Sequence, residues 1–254
     1  MSPWTAGLAL SALLQTGLWA LQRRTKNAAT ADLGWALSLG AFGALHAASG
    51  SGHAGRRLLA ATILAAWSLR LSWHLLRERA LAAAEDGRYA GFRRRWGAGA
   101  APRFFALYLA QTPLAALLSV PLAVLAADPR PPGASGAAGA ALAAAAVTGE
   151  TWADRQLAAF RADPAHRGRT CREGLWRYSR HPNYFFEWLF WWGFVVMAAG
   201  SASWGWTLVA PLVMAVFLVK LTGVALTEAH ALKSRPDYAD YVRSTSMFIP
   251  WFPK

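Results

Sequence analysis

The chain has 254 residues, of which 55% are hydrophobic and only 15% charged, and it carries a formal net charge of +13. Soluble domains are usually about one quarter charged. Here the apolar residues come in long runs with the charges between them, which excludes an ordinary soluble domain. Runs of about 20 apolar residues cross the hydrocarbon layer as helices, because backbone groups there have no water to bond. The basic excess reads as topogenic, with Lys and Arg kept on the cytoplasmic side, and no nucleic-acid partner is expected.

Seven spans are predicted in chain order. The first, 3–21, lacks the basic start of a signal peptide and reads as a retained span; Arg23, Arg24 and Lys26 end it. The second covers about 31–48 and is followed by a Gly/Ser loop at 49–55. The third covers about 58–76, and a polar segment, 77–103, separates it from the fourth, about 104–126. A Pro-rich turn at 128–133 leads to an Ala-rich fifth span, about 134–147, whose small residues suit close helix packing more than lipid contact. A second polar segment, 150–182, precedes the sixth span, about 184–199. The seventh covers about 204–226 and a polar tail completes the chain.

Lys and Arg crowd alternate connections. Arg23, Arg24 and Lys26 follow the first span, the segments after the third and fifth are rich in Arg, and the tail holds Lys233, Arg235, Arg243 and Lys254. The opposite loops hold Arg56, Arg57 and Arg130. The expected fold is therefore an all-α integral membrane protein of seven transmembrane helices, with the N-terminus outside and the C-terminus cytoplasmic. Cys171 is the only cysteine, so an intrachain disulfide is excluded. The six histidines lack metal-ligand spacing, so no metal site is expected, and neither a dinucleotide-binding glycine fingerprint nor a P-loop is present. Any nucleotide must be held by helices and their loops.

The densest polar pattern is Gly174-Leu175-Trp176-Arg177-Tyr178-Ser179-Arg180-His181-Pro182-Asn183-Tyr184, at the start of the sixth span. Pro182 keeps the residue before it out of helical geometry and suits the first turn of the next helix. That helix N-terminus, with Arg177 and Arg180, forms a candidate anion site beside Tyr178 and His181. Asn183 and Glu187 fall at i and i+4, on one helical face, with Glu187 among aromatics. Glu150, Asp154 and Arg161 share another face. In the tail, Tyr238 and Tyr241 at i and i+3 suit either stacking on a base or a headgroup belt.

The 174–185 stretch with Glu187, together with Leu226-Thr227-Glu228 and Arg235-Pro236-Asp237-Tyr238-Ala239-Asp240-Tyr241, resembles the C-terminal signature of the steroid 5α-reductase family, most of all its bacterial branch. The match runs from about Arg77 to the C-terminus. It implies one domain over 1–254 in the bacterial inner membrane, with 1–76 supplying substrate-side helices and 77–254 binding the cofactor. It also implies NADPH-dependent reduction of a carbon–carbon double bond conjugated to a carbonyl, an oxidoreductase acting on CH–CH bonds. The expected substrate is a lipid-phase steroid or isoprenoid enone, foremost a 3-oxo-Δ4 steroid, with membrane lipids around it. Carried over by motif, the cofactor positions are Arg88, Tyr89, Asp154, Arg161, Asn183, Glu187 and His230; the local reading adds Arg177, Tyr178, Arg180, His181 and Tyr241. Arg88, Arg161, Arg177 and Arg180 are expected to neutralise the phosphates. Glu150 stands where members often carry Asn. The family's early Glu and Tyr acid pair has no clear counterpart; Asp32 and His74 are the candidate proton donors, Asp32 on the expectation of an apolar site that keeps it protonated.

A second reading remains open. Membrane methyltransferases of the isoprenylcysteine or phospholipid type, which use SAM, also carry an Arg-His-Pro motif followed by a Glu and a Tyr-x-x-Tyr-like tail, as Arg180-His181-Pro182, Glu228 and the tail do here. Asn183 followed by Glu187, and the number of Arg residues, favour the reductase. A third reading, a non-catalytic lipid-binding or scaffold protein, makes the polar set purely topological.

Overall fold

A computed structural model describes residues 1–82 and 84–254; residue 83, within the polar segment expected after the third span, lies outside it. Among the described residues the chain is helical, with no strand. The helices are α1 (Pro3–Thr25), α2 (Thr30–Ser49), α3 (Ala54–Leu75, extended by a π-helical turn Leu76–Ala80), α4 (Gly87–Trp96), α5 (Ala100–Leu118), α6 (Val120–Ala127), α7 (Gly133–Ala162), α8 (Pro182–Met197), α9 (Val209–Val216), α10 (Val224–Ser234) and α11 (Tyr238–Ser244). Among the described residues, four helical runs are long and apolar enough to cross a membrane: Pro3–Thr25, Ala54–Ala80, Gly87–Ala127 and Trp204–Ser234. They correspond to the first, third, fourth and seventh expected spans. The second, fifth and sixth are helical as well but are not among these four; α8, for one, has only 16 residues.

Several boundaries differ from the sequence reading. The helix of the fifth expected span, α7, continues through Glu150 and Asp154 to Ala162, so the start of the expected polar connector is helix. No Pro interrupts that stretch until Pro164, and Ala, Gln and Arg are good helix formers. The fourth span is broken at Ser119, just before Pro121, which brings no N–H to the helix. The seventh starts as a 3₁₀ turn, passes through a π-helical turn at Phe217–Leu221 and breaks at Gly223. A Cβ on Gly223 would lie 2.2 Å from the Leu218 carbonyl oxygen, so the break needs glycine.

The chain divides into two compact units. The first comprises Met1–Ala137 and Met197–Ala210. Its helix α2 packs against α1, α3 and α5. Small residues allow the close crossings: a Cβ on Gly7 would strike the Phe42 ring at 2.2 Å. Polar contacts join the same helices, because Ser11 donates to Ser38 (2.9 Å) and lies 3.0 Å from Thr112. Hydroxyl pairs of this kind are satisfied inside the bundle, where lipid offers no partner. At one end of this unit Arg56, 4% exposed, is enclosed by backbone carbonyls. Its Nε donates to Arg130 O (3.0 Å), Nη1 to Met197 O (2.6 Å) and Nη2 to Pro131 O (2.8 Å), with Asp128 at 3.5 Å. Arg130 in turn binds Asp128 at 2.7 Å.

The second unit comprises Ala138–Val196 and Pro211–Lys254. Here α7 and α8 meet through small residues: a Cβ on Gly193 would lie 2.8 Å from the Ala143 methyl, and one on Gly149 would strike the Phe186 ring at 2.4 Å. Ala143 and Ala146 are fully buried, as expected of an Ala-rich helix suited to helix contacts.

Candidate functional site

In the second unit the 174–182 stretch folds as a 3₁₀ turn, Gly174–Arg177, running into the first turn of α8. Gly174 takes a left-handed φ of 57° close to Gln156, whose Oε1 accepts from Leu175 N at 3.0 Å. Trp176 is anchored by its indole N–H on Ala153 O at 2.9 Å. Arg180, 8% exposed, forms a fork on Glu228: Nε to Oε1 at 2.7 Å and Nη2 to Oε2 at 3.3 Å. Its Nη1 donates to the carbonyls of Val242 (2.9 Å) and Thr245 (2.8 Å), and its backbone N–H donates to Ser246 O at 2.8 Å. His181 is buried, donates from Nε2 to the same Glu228 oxygen at 3.1 Å and stacks on Tyr184. Tyr241, also buried, donates its hydroxyl to the carbonyls of Trp176 and Ser179. Burial pushes that hydroxyl well above the usual tyrosine range.

These contacts show which partners part of the expected cofactor set already has. Arg180 has nearly all its donors engaged by Glu228 and two carbonyls, so it fastens the tail to the start of α8 and presents no free edge to a phosphate. His181 shares its carboxylate. Tyr241 and Tyr238 pack on one another (5.7 Å between rings) in a buried cluster with Ala231, so neither stacks on a base nor forms a headgroup belt; the Arg172 guanidinium covers the Tyr241 ring at 5.5 Å. The sequence signals the motif but not these partners, since the two carbonyls lie 62 and 65 residues further along the chain.

The remaining expected residues of this unit fall into two sets. Asn183 donates to Asp154 Oδ1 at 3.1 Å and accepts from Tyr184 N at 3.0 Å. One helical turn later Glu187, buried, accepts from the Trp191 indole at 3.2 Å. An amide and a carboxylate are thus held on one face of the start of α8, as expected. Arg161, Arg177, Tyr178 and His230 are exposed. Tyr178 is turned toward Phe252, edge to face at 6.0 Å.

The first unit carries a second ionic cluster, around Asp32 at the start of α2. Oδ2 accepts from Arg88 at 2.8 Å and Arg79 at 3.4 Å, and Oδ1 accepts from the Tyr89 hydroxyl at 2.6 Å. Asp86 caps α4 by accepting from Arg88 N, and its carboxylate also holds the Arg88 guanidinium at 3.0 Å. Burial alone would raise the Asp86 carboxyl, but Arg88 hydrogen bonds and charge outweigh burial and hold it below the usual carboxylate range. Glu85 binds Arg93 (2.7 Å) and the Ala28 N–H (2.9 Å). Where apolar surroundings were expected, Asp32 faces two guanidinium groups and a phenol. Arg88 and Tyr89 likewise bind Asp32 where a cofactor was expected. His74 lies half-buried on α3. Glu85, Asp86, Arg79 and Arg93 escaped the sequence reading, although Asp86 directly before α4 is an N-cap signal.

Each compact unit thus contains a buried-edge ionic cluster built on helix starts, in a helical protein with membrane-length apolar runs. The chain belongs to the DUF1295 family, described as a protein of unknown function, whose pattern matches residues 18–245. It is also similar to an uncharacterized protein of Schizosaccharomyces pombe, at 29% identity over 278 residues, covering 98% of this chain and 80% of that protein. No solved structure matches it.

Proposed function

We propose that this protein is a seven-span reductase of the bacterial inner membrane, N-terminus outside and C-terminus cytoplasmic, that uses NADPH to saturate the double bond of a lipid-phase enone, foremost a 3-oxo-Δ4 steroid. The observation that carries the reading is the pair Asn183 and Glu187, fixed one turn apart on α8 by Asp154 and Trp191. A carboxamide such as that of nicotinamide offers one carbonyl and one NH₂, and an amide beside a carboxylate supplies complementary partners. The phosphates require cations that no carboxylate already holds. Among the described residues of the second unit, Arg167, Arg169 and Arg177 are exposed and have no carboxylate partner. That donor set fits a polyanion; Arg88 and Arg180 do not belong to it.

NADPH, when bound, supplies the hydride. The residues of the chain orient it, exclude water through the aromatics around Glu187, and deliver a proton to the substrate. With Asp32 anchored by two arginines, His74 remains the candidate donor. The cluster of Arg180, His181 and Glu228 suits the SAM-dependent methyltransferase reading equally and does not discriminate.

The discriminating experiment measures binding of NADPH, NADH and SAM to the purified chain and to Glu187→Gln, with turnover of a 3-oxo-Δ4 steroid. NADPH preference in the parent, and a loss of at least roughly tenfold in NADPH affinity or turnover in the variant, is expected from removal of a charge-assisted bond. Binding of SAM in place of NADPH, or an unchanged variant, overturns the reading.

A further inference from the structure

A third basic group lies at the C-terminal end of α1, away from both ionic clusters in its bonding. In the first unit, the carboxylates of Asp32, Glu85 and Asp86 are engaged by Arg79, Arg88 and Arg93. Arg23, Arg24 and Lys26 are exposed, and among the described residues none has a carboxylate within ion-pair reach. They border an open recess of about 680 Å³ whose remaining walls are Gly17, Ala20, Leu21 and Trp19.

The recess is built by helical spacing. Gly17, Ala20, Leu21 and Arg24 fall at i, i+3, i+4 and i+7, on one face. That face continues the exposed apolar surface of α1, where Leu10 and Leu13 are 49% and 72% exposed. A Cβ on Gly17 would meet nothing within 4 Å, so this face is open beside the glycine. Trp19 is fixed by its indole N–H on Ala101 O at 3.1 Å, and the Arg23 guanidinium lies 5.4 Å from the centre of its ring. Lys26 caps the helix in a left-handed conformation, φ 56°. An exposed apolar face of a membrane-length helix thus ends at three cations that have no carboxylate partner among the described residues, one of them lying over an aromatic ring.

We propose that this recess binds one anionic phospholipid, its phosphate among Arg23, Arg24 and Lys26 and an acyl chain along Gly17, Ala20 and Leu21. A zwitterionic lipid brings its own cation to the same place and is disfavoured. Each basic residue near a lipid phosphate contributes roughly a fivefold factor in affinity, so the three together distinguish anionic from zwitterionic headgroups. The site is separate from the cofactor reading and does not depend on it.

The test is native mass spectrometry of the full chain in detergent with phosphatidylglycerol or phosphatidylcholine added, alongside inorganic phosphate. Retention of one phosphatidylglycerol over phosphatidylcholine is expected. Arg24→Gln should weaken it about fivefold, and Arg23→Gln combined with Arg24→Gln and Lys26→Gln should abolish the preference. Gly17→Leu keeps every charge, improves helix propensity and fills this open face; it should also weaken retention by roughly fivefold or more, as expected for displacing a few buried methylenes. Full retention in Gly17→Leu means diffuse surface attraction and overturns the site. So does equal binding of the two lipids, or displacement of phosphatidylglycerol by millimolar inorganic phosphate. If the triple substitution does not insert, Arg24→Gln and Gly17→Leu decide the matter.

Discussion

Arg161 and Arg180 carry the same guanidinium, and the residue motif treats them alike, yet their surroundings differ. Arg161 is exposed near the end of α7, whereas Arg180 is enclosed by Glu228 and the carbonyls of Val242 and Thr245. On the proposed function, Arg161→Ala should weaken NADPH binding about tenfold or more, the value of a charge-assisted bond of about 1.5–3 kcal/mol; titration of the purified variant checks it. Arg180→Ala should act first on stability. It removes the charged partner of Glu228, which keeps His181, and the donor to two carbonyls, a loss of about 3–5 kcal/mol for a broken buried pair, seen as a lower melting temperature with or without cofactor. Arg180→Lys rescues little, because an ammonium cannot make the fork and reach two carbonyls at once. The motif around Arg180 was legible in the sequence because Arg, His, Pro and Asn stand side by side. Its role was not, because the acceptors come from the tail and are backbone atoms, which leave no mark on residue identity. The surroundings of Asp32 were not legible for a related reason: the sequence places it at the edge of an apolar run, and only the fold brings Arg88, Arg79 and Tyr89 onto it.

At the level of elements, the tail is a sequence of small ties to the 170–180 stretch. Asp237, just before α11, accepts from Thr170 N at 3.0 Å and from its hydroxyl at 2.7 Å. Burial alone would raise the Asp237 carboxyl, but the two Thr170 bonds prevail and hold it below the usual carboxylate range. A carboxyl depressed in the folded state contributes stability above its unfolded value, and that contribution is lost as pH falls through the lower folded value. As pH falls below about 4 the tail should therefore lose hydrogen-exchange protection, and Asp237→Asn should flatten that dependence. Tyr241→Phe removes the hydroxyl bonded to Trp176 O and Ser179 O, and should lower stability by about 1–3 kcal/mol in chemical denaturation at pH 7. Element existence was largely legible, since apolar run length alone marks helices in a membrane chain. Element ends were not: the extension of α7 through Glu150 to Ala162 replaces an expected connector, because a helix continues past charged residues wherever backbone propensity allows.

For the molecule as a whole, the proposed topology is tested by reporter fusions at Asp128 and Lys254, which should report opposite sides of the membrane; the same side for both removes the seven-span arrangement. The charge count behind that expectation treats Arg56 and Arg130 as minor exceptions, and the fold gives them a structural role, since both are tied to Asp128 and to carbonyls. That enclosure also has a schedule. Arg56 emerges from the ribosome early, but its Nη1 acceptor, Met197 O, is synthesised 141 residues later. Until then the Arg56 guanidinium lacks one of its acceptors, and only the last one completes the set. Completion of biosynthesis past residue 197 is thus recorded in one guanidinium, and nascent chains arrested short of it should remain open to solvent at this corner while the earlier helices are already assembled.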